Sequence, residues 1–347
     1  MLRWCVALLV FLYLLKIYLE WRPGYVIDHE FANVVPGPSS ANVLAEECSN
    51  ATKICYGVMD YAEDEYGLRV RRVIYVKGFE KEVDTMVTLI PPAGRSFKDS
   101  DTRFWAVNHS DIGTQYTAVM SVFPFALGSV PALSNPNGNA SLFVVGLGGG
   151  SMDMFFHQLR PKWQIDVFEL DPLVVQFAHR WFGVVEDESR RTHVQDGLVA
   201  LAEAVKRNQT YDVLLVDACS TDTLMPCPAA DFLRPEHLRN MRAALKPTGV
   251  VVINVLVLSE IRQDEQIQTV ERQLLAHFPT CLVMKMNLEE NAIVGCLPYA
   301  LEPSTVAQTK KMWKEQLNGL LEHFAFNFEY SNLPPDFWKT TGKKHNL

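Results

Sequence analysis

The chain predicts an α/β fold built on a mostly parallel sheet, and three observations predict it. First, an apolar run at 142–145 enters a turn holding Gly146, Gly148, Gly149 and Gly150, and a helical stretch follows. Second, another apolar run ends on Glu169, 23 positions after Gly146. Third, two further runs close on acidic residues, 192–195 on Asp196-Gly197 and 211–216 on Asp217. Buried parallel strands read as continuous apolar runs, and their carboxyl ends share the sheet edge where open α/β folds bind ligands. A strand, a glycine turn, a helix and an acidic strand end make the first half of a Rossmann-type nucleotide site. Glycine lets the backbone turn sharply against a ligand, and the carboxylate accepts hydrogen bonds from ribose hydroxyls. A single Asp at a strand end reads better as a turn residue; three acidic ends in register behind a glycine loop read as a ligand site.

Taken from the N-terminus, residues 4–15 form an uncharged apolar stretch between Arg3 and Lys16. Spanning a bilayer takes about 20 residues, a length this run approaches if Lys16 extends its ammonium to the interface and Trp4, Tyr18 and Trp21 anchor the ends. An uncleaved signal anchor over 1–22 is favoured; a cleaved signal peptide and a cytosolic hydrophobic tail are the other readings. No small-x-small cleavage site follows the run. Four Asn-x-Ser/Thr sequons (Asn50, Asn108, Asn139 and Asn208) and six cysteines falling in close pairs (48/55, 219/227 and 281/296) suit an oxidising compartment. The expectation is a single-pass glycoprotein with its domain lumenal or extracellular, with a cytosolic domain as the alternative.

Residues 23–47 read as a Pro/Gly/Ser-bearing linker, and 48–135 as a small β module with a lead-in helix. Period-two patterning at 68–76 and 86–90 predicts antiparallel strands exposed on one face. The main domain spans 136–325 and the tail 326–347. After Asp217 the pattern predicts a helix over 235–245, a strand over 250–256, an amphipathic helix over 259–277, a final strand pair at 281–286 and 291–297, and a helix over 304–325.

Length and composition agree. With 347 residues and 48% hydrophobic content the chain can bury one large core and a smaller module. A net charge of −8 without a basic block argues against nucleic acid as partner. The short clusters Arg69/Arg71-Arg72 and Lys343-Lys344 read as a solvated face and a tail. No Cys-x-x-Cys or His-x-x-x-His spacing supports a metal site.

The segments Val145-Gly146-Leu147-Gly148-Gly149-Gly150-Ser151, Glu169-Leu170-Asp171-Pro172, Asp196-Gly197 and Asp217 resemble the S-adenosylmethionine-dependent methyltransferase and spermidine synthase superfamily. They are most similar to the C-terminal domain of the methyltransferase-like enzymes acting on elongation factor 1A, with Met225-Pro226-Cys227-Pro228 resembling a further element there. The resemblance implies a seven-stranded sheet with its last strand antiparallel, preceded by a small antiparallel module through which relatives often dimerise. It implies S-adenosyl-L-methionine as cofactor. Gly146, Gly148 and Gly150 would line its methionine part, Glu169 would hold the ribose, and Asp196 with Gly197 would meet the adenine. The helix after 114 would bring Gln115 or Tyr116 near the sulfonium, although Tyr116 reads equally well as a core aromatic.

Asp217 is then the candidate to orient or deprotonate an acceptor amine, and Asp222 to attract its charge. Spermidine synthases carry Gly-Gly-Gly-Asp-Gly-Gly and an Asp-Ser-Ser-Asp strand end. Here the matching stretches are Gly148-Gly149-Gly150-Ser151-Met152-Asp153 and Asp217-Ala218-Cys219-Ser220-Thr221-Asp222. Methyl transfer to an amine, of a protein or a small molecule, is therefore favoured over aminopropyl transfer, which would draw on Asp153, Asp217 and Asp222. A non-catalytic nucleotide-binding module is the third reading.

Overall fold

The computed structural model describes residues 41–326, apart from 65, 79–82 and 287–288, together with 338–342. The apolar run at 4–19 and the expected anchor over 1–22 lie outside the described residues, as does most of the tail.

Five strands, β1 (Ala41–Cys48), β2 (Cys55–Ala62), β3 (Val70–Val76), β4 (Val83–Ile90) and β5 (Ala106–Ile112), pair with their sequence neighbours in an antiparallel meander. The last residues of the segment read as a linker are thus strand, because 41–48 pair along β2. The expected exposed face is also corrected. β3 is buried along nearly its whole length, Arg71 and Arg72 included. Its Val73 and Tyr75 join Met59, Tyr61 and Met86 on one face, while Ile74, Val58 and Val87 pack on the other with the main domain.

The second sheet runs in the order β13-β11-β12-β10-β9-β6-β7-β8. Here β6 is Ser141–Val145, β7 Gln164–Glu169, β8 Arg190–Val194, β9 Tyr211–Val216, β10 Leu245–Leu256, β11 Thr280–Lys285, β12 Asn291–Leu297 and β13 Trp338–Gly342. β6 to β10 are mutually parallel, and β12 lies antiparallel between β10 and β11. The expected seven strands, with the last antiparallel, are present. An eighth, β13, pairs with β11; the sequence of the tail does not predict it. Residues alternate between the faces: Leu142, Val144, Val213 and Leu215 point into one core and Phe143, Val145, Leu214 and Val216 into the other. Burial on both faces is why these strands read as unbroken apolar runs. Each fully buried Phe or Leu contributes about 1.5–3 kcal/mol.

The helices on these faces are α1 (Gln115–Ala126), α2 (Ser151–Leu159), α3 (Pro172–Trp181), α4 (Gly197–Lys206), α5 (Pro235–Ala243), α6 (Glu260–Leu275) and α7 (Val306–His323). A buried ion pair within the small sheet, Arg72 on β3 with Asp60 opposite it on β2, also ties that sheet to α3. Arg72 donates from Nε and Nη2 to Asp60 at 2.7 and 2.8 Å, and also to the carbonyls of Trp181, ending α3, and of Thr102, at 2.6 and 2.7 Å. Arg71 is likewise buried on Glu63. The reading of this cluster as a solvated face holds only for Arg69, because β3 runs between two covered faces.

The cysteines pair as expected, in disulfides Cys48–Cys55, Cys219–Cys227 and Cys281–Cys296. The first and third join residues directly opposite in the β1–β2 and β11–β12 registers. Their proximity follows from strand pairing alone, so it does not fix a compartment.

Candidate functional site

At the carboxyl edge of β6, β7, β9 and β10 lies a cavity of about 440 Å³, within the range of small-ligand sites. Gly146, Gly148, Glu169, Asp196, Gly197, Asp217 and Tyr116 all line it. Gly150 and Gln115 do not. Gly150 adopts the left-handed conformation (φ 72°) that starts α2, and Gln115 is buried, its backbone N–H donating to Glu289. Asp222 also stands off the cavity. It is exposed on the loop after β9, where its Oδ1 accepts the N–H groups of Leu224 and Met225 at 2.8 Å each, and these hold its carboxyl below the usual range. The chain turns back on itself there, which sequence spacing from Asp217 does not reveal.

The glycine turn is fixed by close approach. Gly146 has φ 90°, and a Cβ there would sit 2.1 Å from the Asp217 carbonyl oxygen. Neither partner can retreat, because Gly146 N donates to Phe168 O and Asp217 N to Val145 O, each at 2.9 Å. Gly146→Ala is therefore expected to cost about 1–3 kcal/mol from the backbone alone, with the clash added. Gly94 (φ 70°), where an added Cβ would meet nothing within 4 Å, supplies the control. The melting temperature of Gly146→Ala should fall well below that of Gly94→Ala; equal losses would contradict the packing argument.

Glu169 is half-buried at the end of β7. Leu147 N donates to its Oε2 and Asp171 N to its Oε1, each at 2.9 Å. Burial pushes its carboxyl up, against these N–H groups. Asp171 is tied in turn to the β1–β2 turn by the hydroxyls of Ser49 and Thr52, at 2.7 and 2.5 Å. Asp196 caps α4 through Leu198 N at 2.8 Å, and its exposed carboxylate forms the outer rim.

Asp217 accepts from Asn254 Nδ2 at 2.8 Å and from the Tyr116 hydroxyl at 3.3 Å. Burial raises its proton affinity, and the two donors oppose that rise. Asn254, 2% exposed, is held by Asn291, whose Nδ2 donates to Asn254 Oδ1 at 2.8 Å. Both asparagines line the cavity. Glu289, pushed up to about 7 by burial against two backbone N–H groups, sits behind Tyr116. Asp153 faces the cavity but is committed to Arg190, which donates from Nε at 2.6 Å in a buried pair.

Sequence reasoning misses Asn254, Asn291 and Glu289, and also Tyr56, Thr85 and Met86, which the small sheet contributes to the cavity wall. Thr85 accepts from Gly149 N at 2.9 Å, so that glycine serves the contact between the sheets. One signal is present: Asn254 interrupts the apolar run 250–256, and a buried amide needs partners.

Residues 124–294 match the spermine/spermidine synthase domain. These residues form a spermine/spermidine synthase-like domain. The eEF1A lysine and N-terminal methyltransferase of Homo sapiens is 35% identical over 161 residues, covering 45% of this chain and 22% of the relative. The polyamine aminopropyltransferase of Vibrio vulnificus (strain CMCP6) is 30% identical over 124 residues, covering 36% of this chain and 40% of the relative. A crystal structure of human methyltransferase-like protein 13 in complex with SAH matches with a TM-score of 0.51 at 28% identity, over 59% of this chain and 93% of that one. The chain thus spans about a fifth of the length of the human methyltransferase relative.

The expected membrane-held, lumenal glycoprotein is corrected by these findings. Among the described residues no helix is long and apolar enough to cross a membrane, and the relative is named for acting on eEF1A. The lumenal reading rests on the sequons and the paired cysteines, and the two disulfides set by strand register are neutral between compartments.

Proposed function

We propose that the cavity binds S-adenosyl-L-methionine and that the protein transfers its methyl group to a protein amine. The observation that carries this is Asp217, a carboxylate of raised proton affinity facing the cavity between two side-chain donors, behind the Gly146 turn and Glu169. The residues fit the cofactor: Gly146 and Gly148 bring backbone without side chains to the cavity wall, and Glu169 presents a carboxylate beside them. When bound, the cofactor supplies an activated methyl on a sulfonium. Gly146 and Gly148 line its methionine part, Glu169 holds the ribose, and Asp196 and Gly197 border the adenine. Asp217 accepts the proton that an ammonium acceptor must lose, and Tyr116 and Asn254 keep its oxygens aligned.

Aminopropyl transfer is the weaker reading. Of the three carboxylates it would draw on, Asp153 is neutralised by Arg190 and Asp222 is not among the residues lining the cavity, which leaves Asp217. Self-association through the small sheet, whose outer strand β1 is largely exposed, completes the proposal.

The test uses eEF1A, named in the relatives' substrate, as acceptor. With S-adenosyl-L-methionine the protein is expected to add methyl groups to a lysine or the N-terminus, read by mass spectrometry. Aminopropyl addition from decarboxylated cofactor to a polyamine, without methylation, would reverse the assignment.

A further inference from the structure

Both donors on the Asp217 carboxylate trace back to one short segment. Tyr116 stands in the first turn of α1, and the backbone N–H groups of Gln115 and Tyr116 donate to Glu289 Oε1 and Oε2 at 2.7 and 2.8 Å. Thr114, at the N-cap, makes no side-chain cap bond, its hydroxyl being paired with that of Thr117. Glu289 therefore caps this helix from far along the chain, its two carboxyl oxygens satisfying two of its orphan donors. The other donor, Asn254, is held by Asn291, two residues beyond Glu289. With its Oδ1 engaged by Asn291, the Asn254 amide must turn Nδ2 towards Asp217. The segment is anchored in its own right: Gln263 Nε2 donates to Glu290 O at 3.0 Å, Met286 N to Asn291 O at 2.9 Å, and Asn291 opposes Leu256 in the β10–β12 register.

We propose that Glu289 and Asn291 are positioning residues of the Asp217 site, a two-armed brace that holds Tyr116 and Asn254 on its carboxylate. The proposal rests on the reading above only in taking Asp217 as the reactive group. Glu289 acts through the helix that carries Tyr116, and Asn291 through the orientation of one amide. Without Asn291 the Asn254 side chain is free to rotate and present its oxygen to the carboxylate. Either loss removes a donor that favours the ionised form, so Asp217 should hold its proton to higher pH.

The experiment follows the Asp217 carboxyl carbon by ¹³C NMR in the full chain across a pH titration, the resonance being assigned by its absence in Asp217→Asn. Tyr116→Phe should raise the midpoint by about half a pH unit or more. Glu289→Gln should raise it comparably, and Tyr116→Phe/Glu289→Gln no further than Tyr116→Phe alone. Asn291→Ala should raise it through the other arm, additively with Tyr116→Phe, and keeps the test open if Glu289→Gln fails to fold. Midpoints unchanged in Glu289→Gln and Asn291→Ala, or additive shifts of Glu289→Gln and Tyr116→Phe, would overturn the brace. No turnover enters the readout, so absent methyl transfer with these shifts intact would remove the proposed reaction and leave the brace standing.

Discussion

Asp217→Asn is expected to lower turnover on an amine acceptor by about 10²–10⁴-fold, the usual contribution of a positioned proton acceptor, while cofactor affinity stays near that of the wild type. The amide preserves the site's shape: its oxygen can take the Asn254 donor, and the Tyr116 hydroxyl can accept as well as donate. In the wild type, activity should rise with pH as Asp217 loses its proton. Burial raises that proton affinity, so the midpoint should lie above the ordinary carboxylate range. The same shift has a stability consequence. A carboxyl whose folded pKa is raised contributes stability that is present below its unfolded pKa and lost as pH rises through the folded value, and Asp217→Asn removes that loss. Rates and pH profiles of wild type and variant on one acceptor check both statements; unchanged turnover would remove Asp217 from proton transfer.

The second large effect is structural. Arg72→Met should destabilise the protein by about 3–5 kcal/mol, because it leaves the fully buried Asp60 carboxylate without its counter-charge. The carbonyls of Trp181 and Thr102 lose their donors with it. Arg72→Met/Asp60→Leu should recover much of the loss, since removing both charges ends the desolvation cost. Denaturant unfolding midpoints measure it. A loss in Arg72→Met no larger than that of an exposed pair such as Lys77–Glu46 would mean that the buried pair does not hold the small sheet to α3.

Much of the main domain is legible in the sequence because its strands are buried on both faces and end on polar residues at the site. The glycine turn, Glu169 and Asp217 stand out for that reason, and the helices over Glu260–Leu275 and Val306–His323 follow from periodicity. The small sheet is harder to read. Arg71, Arg72 and Asp60 carry the composition of a solvated face, yet lie between two packed surfaces where they satisfy one another, and single-strand patterning does not contain that pairing. Asp222 misleads because it sits in the turn that reverses the chain between Ser220 and Pro226. The supports of Asp217 are hidden for another reason. Tyr116, Asn254 and the segment Glu289–Asn291 are separated by long stretches of sequence, and only the antiparallel insertion of β12 beside β10 brings that segment to the site. Strand β13 lies in a segment with no regular apolar alternation, and its place at the sheet edge comes from pairing with β11.

The central claim is that this cavity is an S-adenosyl-L-methionine site with Glu169 on the ribose. Isothermal titration of the cofactor into the full chain tests it most directly. The wild type should bind at one site, and Glu169→Ala, folded by its unfolding transition, should lose about 1–3 kcal/mol of affinity because the ribose hydroxyls lose their acceptor. Equal affinity of the two proteins, or no binding by the wild type, would contradict it.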